Sequence, residues 1–204
     1  MPDEPTRTPV PQLETPRLVL RQLGLHDAAA IFAYASDPEV ARYTFWHAHQ
    51  SLEDSHRFIT WLTSGEVACW AIVLRAHSTL IGTCFLHSFN QPHRRAEIAF
   101  NVARREWGQG YATEAVRAVL QAGFMYWQLN RIEGTSMLAN SASARVMEKA
   151  GMHFEGILRQ YAFAKGTFHD MKLYAALQGE EWSDLWEERR GEGGEGGAGE
   201  GVGA

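Results

Sequence analysis

The residues best suited to chemistry lie in one stretch, Ala96–Val116, in which two glycines separate an apolar strand pattern from a helical one (AEIAFNVARREWGQGYATEAV). Glycines at such a turn, here Gly108 and Gly110, let consecutive main-chain N–H groups point into one concavity. The helix that begins directly afterwards adds its free N–H groups and the positive end of its dipole. The stretch therefore predicts an anion site suited to a pyrophosphate.

Two common phosphate motifs do not fit this turn. The dinucleotide fingerprint G-x-G-x-x-G needs a third glycine where Thr113 stands, and it opens a βαβ unit instead of following three strands. The P-loop of nucleotide triphosphatases needs Gly-Lys-Ser/Thr, which does not occur in the chain. An ordinary glycine turn without a ligand remains the alternative at this point.

The sequence pattern predicts the strands and helices that would position this turn. Apolar residues alternate in Thr15–Gln22, whereas Tyr111–Trp127 carries them at helical spacing. Asp27, Ser51 and Asn140 are the expected N-caps of three further helices. The order of elements is β-α-α-β-β-β-α-β-α-β-β, which predicts an α/β (α+β) domain. We expect one mixed central sheet of about seven strands with helices on both faces.

Composition divides the chain of 204 residues into three parts. Residues 1–12 hold four prolines and predict a disordered leader. Residues 13–178 have the composition of a globular domain, and residues 179–204 form an acidic tail rich in glycine and glutamate. In that tail Trp182 and Trp186 would share one face of a short helix.

The formal net charge of −5 comes from the tail, which carries eight acidic and two basic residues from Gly179 onward and so has a charge of −6. The body is nearly neutral, which excludes a nucleic-acid binder that works through a basic face. No apolar run approaches the ~20 residues of a membrane span, and the N-terminus lacks the apolar segment of a signal peptide. We therefore expect a cytoplasmic protein without nucleic-acid or membrane partners.

Cysteine and histidine usage argues against metal and disulfide chemistry. The two cysteines, Cys69 and Cys84, lie in apolar strand patterns and are too few for a disulfide framework or a structural zinc site. They are expected to be buried free thiols of a reducing compartment. The nine histidines show no metal-ligand spacing, so no metal is expected.

Several motifs resemble one known family. The spacing Arg105-x-x-Gly108-x-Gly110 resembles the [QR]-x-x-G-x-[GA] acetyl-coenzyme A motif of the GNAT acyltransferases. The segment Asn140–Met152 resembles N-x-x-S-x-x-[VL]-x-E-K-x-G-[FM], a pattern of members similar to the ribosomal-protein N-terminal acetyltransferases of the RimJ/RimL type. The opening segment (Glu14-Thr15-x-Arg17-Leu18-x-Leu20-Arg21) and the last hairpin also match, so the resemblance covers about residues 13–178.

The resemblance implies acetyl-CoA as co-substrate, held between the strand end, the glycine turn and the next helix. The strand end would present main-chain groups to the pantetheine arm, and one N–H would hold the oxyanion of the tetrahedral intermediate. Asn140 would meet the pantetheine arm. The implied coenzyme-binding residues are Phe100, Asn101, Val102, Arg104, Arg105, Trp107, Gly108, Gln109, Gly110, Tyr111, Ala112, Thr113, Asn140 and Ser143.

Two residues are the candidate catalysts. Glu97 is our candidate general base because a carboxylate inside a strand is unusual unless it faces a cleft or pairs with a cation such as Arg94 or Arg95. By resemblance, Ser143 lies near the thioester sulfur and protonates the departing thiolate; a plain first-turn serine is the alternative. Since the pKa of an α-amino group is about 8 and that of lysine is about 10.4, a carboxylate base favours an N-terminal amine as acceptor.

Acceptor binding is expected from an aromatic loop before the first hairpin. Tyr43, Trp46 and His47 lie in that loop, and Tyr161 of the last hairpin would line the same cleft. Packing beneath the loop is the alternative for the aromatic residues. The segment is not acidic, which favours a peptide over a small cationic amine such as an antibiotic or polyamine.

A non-catalytic acyl-CoA-binding module remains the alternative from another class. A homodimer is a further expectation for this fold.

Overall fold

The computed structural model describes residues 10–180, which contain both strands and helices. Within this part the eight strands are β1 (Leu13–Glu14), β2 (Leu18–Gln22), β3 (Ala68–Leu74), β4 (Thr79–Asn90), β5 (Arg95–Val102), β6 (Arg131–Met137), β7 (His153–Ala164) and β8 (Thr167–Leu177). The five helices in the same part are α1 (Ala28–Ala35), α2 (Pro38–Ala41), α3 (Leu52–Leu62), α4 (Tyr111–Tyr126) and α5 (Ser141–Lys149).

The strands form one mixed sheet in the order β1-β2-β3-β4-β5-β6-β8-β7. Neighbouring strands are antiparallel except β5 and β6, which are parallel and are connected through α4. The predicted mixed sheet is confirmed, and the strand beyond the expected seven is β1. With two residues, Leu13 and Glu14, paired to Leu20 and Val19, β1 is too short to show a periodic pattern.

Helices cover both faces of the sheet, as the sequence predicts. On one face α4 and α5 pack on a buried cluster that includes Leu18, Trp70 and Ile98. On the other face α1 and α3 pack on a second cluster that includes Phe85 and Cys69. Both cysteines are buried free thiols. Because both faces are buried, β3 and most of β4 are almost continuously apolar.

The parallel pair β5 and β6 separates along its length. The two strands are matched only over Arg95–Glu97 and Arg131–Glu133. Beyond that point β5 stays paired with β4 as far as Val102, and β6 stays paired with β8 as far as Met137. The rest of β5 therefore has an open edge, and a cleft lies between the two diverging strands.

All three predicted N-caps occupy the N-cap position, and two of them make the side-chain cap bond. The Ser51 hydroxyl accepts a hydrogen bond from Asp54 N, and the Asp54 carboxylate accepts one from Ser51 N, which completes a capping box. Asn140 Oδ1 accepts a hydrogen bond from Ser143 N at 3.1 Å. Asp27 precedes α1 but makes no side-chain cap bond, because its carboxylate accepts hydrogen bonds from Arg21 and Gly24 N instead.

The chain contacts the domain from the beginning of the described residues. Val10 packs against the core cluster beside α4, and the Pro11 carbonyl accepts a hydrogen bond of 2.7 Å from Trp70 Nε1. The first nine residues of the expected leader lie outside the described residues. So does the tail from residue 181 onward, including Trp182 and Trp186, whose helix stays a prediction.

Candidate active site

A cavity of about 490 Å³ opens at the end of β5, between α2, the glycine turn and α5. Residues from several distant segments line it. They are Glu39, Val40, Arg42, Tyr43, Thr44, Phe100, Asn101, Val102, Glu106, Trp107, Gly108, Gly110, Tyr111, Ala112, Thr113, Asn140, Ala142, Ser143, Arg145, Val146 and Lys149.

The glycine turn supplies an anion cradle, by which we mean residues 108–113. Gly108 and Gly110 have φ angles of +78° and +81°, the left-handed region that other residues seldom adopt. The main-chain N–H groups of residues 108–113 donate to no acceptor among residues 10–180. These donors lie at the N-terminus of the 16-residue helix α4, where the helix dipole is positive. The cradle therefore fits a pyrophosphate, as the sequence predicts.

Local contacts fix the strand end that leads into the cradle. Ala103 N donates to the Ile81 carbonyl at 2.7 Å, and Trp107 Nε1 donates to the Val102 carbonyl at 2.8 Å. Gly82 allows a close approach of β4 and β5, since a Cβ at this position would lie 2.1 Å from the Asn101 carbonyl oxygen. Any larger residue at position 82 would displace the end of β5.

The strand end itself borders the cavity through Phe100, Asn101 and Val102, all three of which were predicted to contact the coenzyme. The Asn101 side chain points away from α5. Its Oδ1 accepts a hydrogen bond of 3.2 Å from the hydroxyl of Thr83, on β4. The main chain of this segment is not paired with β6, so its N–H and C=O groups on that edge are available to a ligand.

Helix α5 forms the opposite wall. Asn140 and Ser143 line the cavity as predicted, and Asn140 also caps the helix. The half-buried Ser143 hydroxyl makes no hydrogen bond to any group among residues 10–180. Arg145 and Lys149 also line the cavity, and the sequence reasoning missed them. Their spacing of four residues on a capped helix was the signal that could have identified them.

Three predicted coenzyme residues do not line the cavity. The Arg104 and Arg105 side chains are exposed, and Arg105 Nε pairs with Glu106 Oε1 at 3.1 Å. Gln109 belongs to the turn but does not line the cavity, and its carbonyl oxygen accepts a hydrogen bond from Arg17 Nη1. A short 3₁₀ turn at Arg104–Glu106 directs the two arginines outward, which the spacing alone does not reveal.

Glu97 lies at the point where β5 and β6 begin to diverge, not in the cavity lining. It stands opposite His87 on β4 and Glu133 on β6. Neither arginine suggested as a partner pairs with it, because Arg95 pairs with Glu133 and Arg94 bonds the Gln128 carbonyl. Burial lowers the pKa of His87, and the negative charge of Glu97 opposes that shift.

The four predicted acceptor residues are separated in space. Tyr43 lines the cavity, with the Arg42 guanidinium 5.2 Å from its ring centroid. Trp46 and His47 instead line a second groove of about 540 Å³ beside α3. Tyr161 is 57% exposed on β7 and lines neither of them. The structure therefore brings only Tyr43 of the four into the lining of the main cavity, and a shared acceptor cleft stays a prediction.

A turn in the loop causes this separation. Thr44 Oγ1 donates to the Ala41 and Trp46 carbonyls, at 2.8 and 2.9 Å, which bends the chain between the two cavities. Trp46 packs on Phe58 with ring centroids 5.6 Å apart, so it matches the alternative of packing beneath the loop. The sequence gives no sign of this bend.

A diverging parallel strand pair beside a cradle of free N–H groups offers a slot for an extended ligand that carries a pyrophosphate, as an acyl-coenzyme A does. Residues 17–153 match the acetyltransferase (GNAT) domain family. The chain belongs to this family and is an acetyl-CoA-dependent N-acetyltransferase, with acetyl-CoA as its co-substrate.

Known proteins agree with this assignment. The chain is 37% identical to the uncharacterized N-acetyltransferase YoaA of Bacillus subtilis over 172 residues, which cover 82% of this chain and 97% of that protein. The fold resembles ribosomal-protein-S5-alanine acetyltransferase from Vibrio fischeri (TM-score 0.72, 19% identity, 85% of this chain and 100% of the other). It also resembles spermidine N-acetyltransferase from Vibrio cholerae, solved with CoA and spermine (TM-score 0.70, 23% identity, 80% and 97%).

Two further structural findings concern residues 10–180. No group of three or more histidine, cysteine or acidic side chains in this range is arranged to hold a metal ion. None of the helices in the same range combines the length and the apolar character needed to cross a membrane.

Proposed function

We propose that this enzyme acetylates the N-terminal α-amine of a protein or peptide. The observation that carries this proposal is the charge of the cavity lining. Its two carboxylates are paired with arginines, Glu39 with Arg42 at 3.4 Å and Glu106 with Arg105 at 3.1 Å. A polyamine needs unpaired carboxylates to replace its hydration, whereas a peptide N-terminus needs only one neutral amine.

Acetyl-CoA would lie across the cleft with its pyrophosphate in the cradle. The pantetheine arm would follow the open edge of β5, and Asn140 would contact it from α5. A main-chain N–H on that edge would stabilise the oxyanion of the tetrahedral intermediate, because it is fixed before the reaction begins. Tyr43 would contact the acceptor at the other end of the cavity.

The chemical step is a direct attack of the amine on the thioester. The amine nitrogen forms a bond to the carbonyl carbon, and the carbon–sulfur bond breaks when the intermediate collapses. Glu97 would take the proton of the amine, and because it lies outside the cavity lining we assign this transfer to an intervening water. Ser143 would give a proton to the departing thiolate. The products are the N-acetylated amine and coenzyme A.

Acceptor chemistry fits a base of this kind. An α-amine with a pKa of about 8 is already neutral in roughly a tenth of molecules at pH 7, whereas lysine is almost entirely protonated. A carboxylate acting through water is therefore sufficient for an N-terminus and a poor base for a lysine side chain.

Thiol release from acetyl-CoA with matched acceptors tests the proposal. The panel contains one peptide headed by Ala or Ser, the same peptide with a blocked N-terminus and an internal lysine, spermidine, and an aminoglycoside. We expect release with the free N-terminus alone. Release only with spermidine or the aminoglycoside would establish the small-amine alternative. Binding of coenzyme A without release for any acceptor would indicate a non-catalytic acyl-CoA module.

We also propose that two copies of the chain associate through β7, the last strand of the sheet. Large apolar side chains on it are exposed, among them Phe154 and Ile157 at 52% each. An antiparallel pairing centred on Ile157 would set Glu155, which also pairs with Arg131 of its own chain, opposite Arg159 of the second copy. A strand edge of this kind needs a cover if it is not to aggregate.

Light scattering after size exclusion tests the dimer. Ile157→Lys should give a monomer, and Met125→Lys, which changes another exposed apolar side chain on α4 (68% against 52%), should leave the dimer intact. A monomeric unmodified chain would contradict the proposal.

We place the enzyme in the cytosol, since Cys69 and Cys84 are free thiols.

A further inference from the structure

Arg17, in the turn between β1 and β2, lies directly behind the anion cradle. Its Nη1 donates to the Gln109 carbonyl at 2.8 Å, and its guanidinium carbon is 4.6 Å from the centroid of the Tyr111 ring. It is separated from both residues by more than 90 positions of sequence and lies outside the cavity lining, and its membership of the opening segment gives no reason to place it near the glycine turn. We propose that Arg17 is a positioning residue that orients the cradle for the pyrophosphate of the coenzyme.

The geometry of one peptide group explains how Arg17 would orient the cradle. The peptide bond between Gln109 and Gly110 is trans, as are all those in the described residues, so its C=O and N–H point in opposite directions. When Arg17 binds the Gln109 carbonyl behind the cradle, the N–H of Gly110 must point forward into it. Because Gly108 and Gly110 make this turn flexible, the peptide group needs such an anchor to keep one orientation.

The anchor is itself held by Glu114, in the first turns of α4. The Glu114 carboxylate accepts hydrogen bonds from Arg17 N at 2.9 Å, from Arg17 Nε at 2.6 Å and from the Thr15 hydroxyl at 2.6 Å. It is 12% exposed, so these bonds are sheltered from water. Glu114 belongs to the same helix as the cradle, so the three residues clamp the β1–β2 turn to the start of α4.

Orientation, not charge, is the contribution of this clamp. The pair Arg17–Glu114 has no net charge, so it adds little to the attraction of a phosphate from a distance. The two explanations differ in the expected effect of Glu114→Gln. If Arg17 acted through its charge, removing the neighbouring negative charge would tighten coenzyme binding. If it acts by orientation, the same change frees the guanidinium and weakens binding.

The inference rests on the proposed placement of the pyrophosphate, and calorimetric titration of the full chain with coenzyme A tests it without an acceptor. Loss of a hydrogen bond from a charged group corresponds to an affinity loss of about tenfold or more, which we expect for Arg17→Ala. Arg17→Lys should show a similar loss, because lysine keeps the charge but cannot make the forked contact.

Arg75→Ala is the matched control. Arg75 is 46% exposed against 47% for Arg17, and it also binds a carboxylate and a carbonyl of the same segment, those of Glu14 and Thr15. It makes no hydrogen bond to the cradle. Its replacement should leave coenzyme affinity unchanged.

Kinetics separate positioning from a loss of folding. In Arg17→Ala the KM for acetyl-CoA should rise while kcat and the KM for the amine stay constant. The KM for acetyl-pantetheine, which has no pyrophosphate, should not change. A general loss of folded protein would instead lower kcat for both thioesters.

Three results would overturn the inference: unchanged coenzyme affinity in Arg17→Ala, an equal loss in Arg75→Ala, or tighter binding in Glu114→Gln. Gly108→Ala distinguishes this failure from a failure of the proposed function. If Gly108→Ala weakens coenzyme binding and Arg17→Ala does not, the cradle is correct and the inference about Arg17 is wrong. If neither change weakens binding, the pyrophosphate lies elsewhere.

Discussion

Glu97 and Glu133 stand opposite each other as the last matched residues of β5 and β6. The two carboxylates differ in their partners. Glu133 pairs with Arg131 at 2.6 Å and with Arg95 at 3.5 Å, so its charge is compensated. Glu97 has no arginine partner among the described residues and faces His87. The arrangement compensates the charge of Glu133 and leaves Glu97 without an arginine partner in this range.

Glu97→Gln should lower kcat by about 10²–10³-fold, because general-base catalysis contributes on this scale. Affinity for coenzyme A should not change, since Glu97 lies outside the cavity lining. Steady-state kinetics with a peptide acceptor and calorimetric titration with coenzyme A measure the two quantities. Glu133→Gln is the matched control and should affect stability more than kcat. A Glu97→Gln enzyme with undiminished kcat would show that the base is another group.

Ser143→Ala should lower kcat by about tenfold or more if the hydroxyl protonates the thiolate. The helix should remain intact, because the cap bond to Asn140 uses the main-chain N–H of Ser143. Ser141→Ala, which changes an exposed serine on the same helix, is the control. Equal kcat in both variants, measured by thiol release, would make Ser143 an ordinary first-turn serine.

Gly108→Ala and Gly166→Ala form a matched pair that separates strain from ligand binding. Their φ angles are +78° and +84°, and a Cβ at either position would meet no atom within 4 Å. Each change should cost about 1–2 kcal/mol of unfolding free energy, the penalty of a left-handed conformation for an L-residue. Only Gly108→Ala should raise the KM for acetyl-CoA. Equal kinetics in the two variants would place the pyrophosphate away from the cradle.

The buried Asp27 should make the protein sensitive to acid. Burial raises the pKa of this carboxyl, but hydrogen bonds from Arg21 and Gly24 outweigh that effect and hold the pKa below its usual value. A group with a lowered folded-state pKa stabilises the fold above its unfolded pKa of about 3.9, and this contribution is lost as the pH falls through the folded value.

Asp27→Asn should therefore reduce the unfolding free energy by about 2–4 kcal/mol at pH 7. The difference from the unmodified protein should shrink as the pH falls below about 4, because protonation of Asp27 removes the same interaction. Urea titrations at several pH values measure it. Glu39→Gln, which breaks an exposed pair, should cost at most about 1 kcal/mol. A difference between Asp27→Asn and the unmodified protein that is independent of pH would exclude the ionised carboxylate as its source.

Local patterns determined most of the elements in this protein. The final hairpin, which the order of elements predicts as the last two strands, is observed as His153–Ala164 and Thr167–Leu177. The caps at Ser51 and Asn140 and the two glycines before α4 were also predicted correctly. Such features depend on residues within a few positions of one another, so their physics is contained in the sequence itself.

Tertiary structure alone decided how these elements form a site. Arg17 reaches Gln109 and Glu114 across more than 90 residues, and no periodicity relates them. Trp46 and Tyr161 were expected beside Tyr43 but do not line the same cavity, and the bend at Thr44 and the exposed side of β7 that accompany this are set by packing between segments. The sequence by itself determined the coenzyme motif, whose residues lie within a few positions of one another, and the resemblance of that motif to the GNAT family implied the enzyme class. The shape of the acceptor side depends on contacts between distant residues, and only the folded chain specifies them.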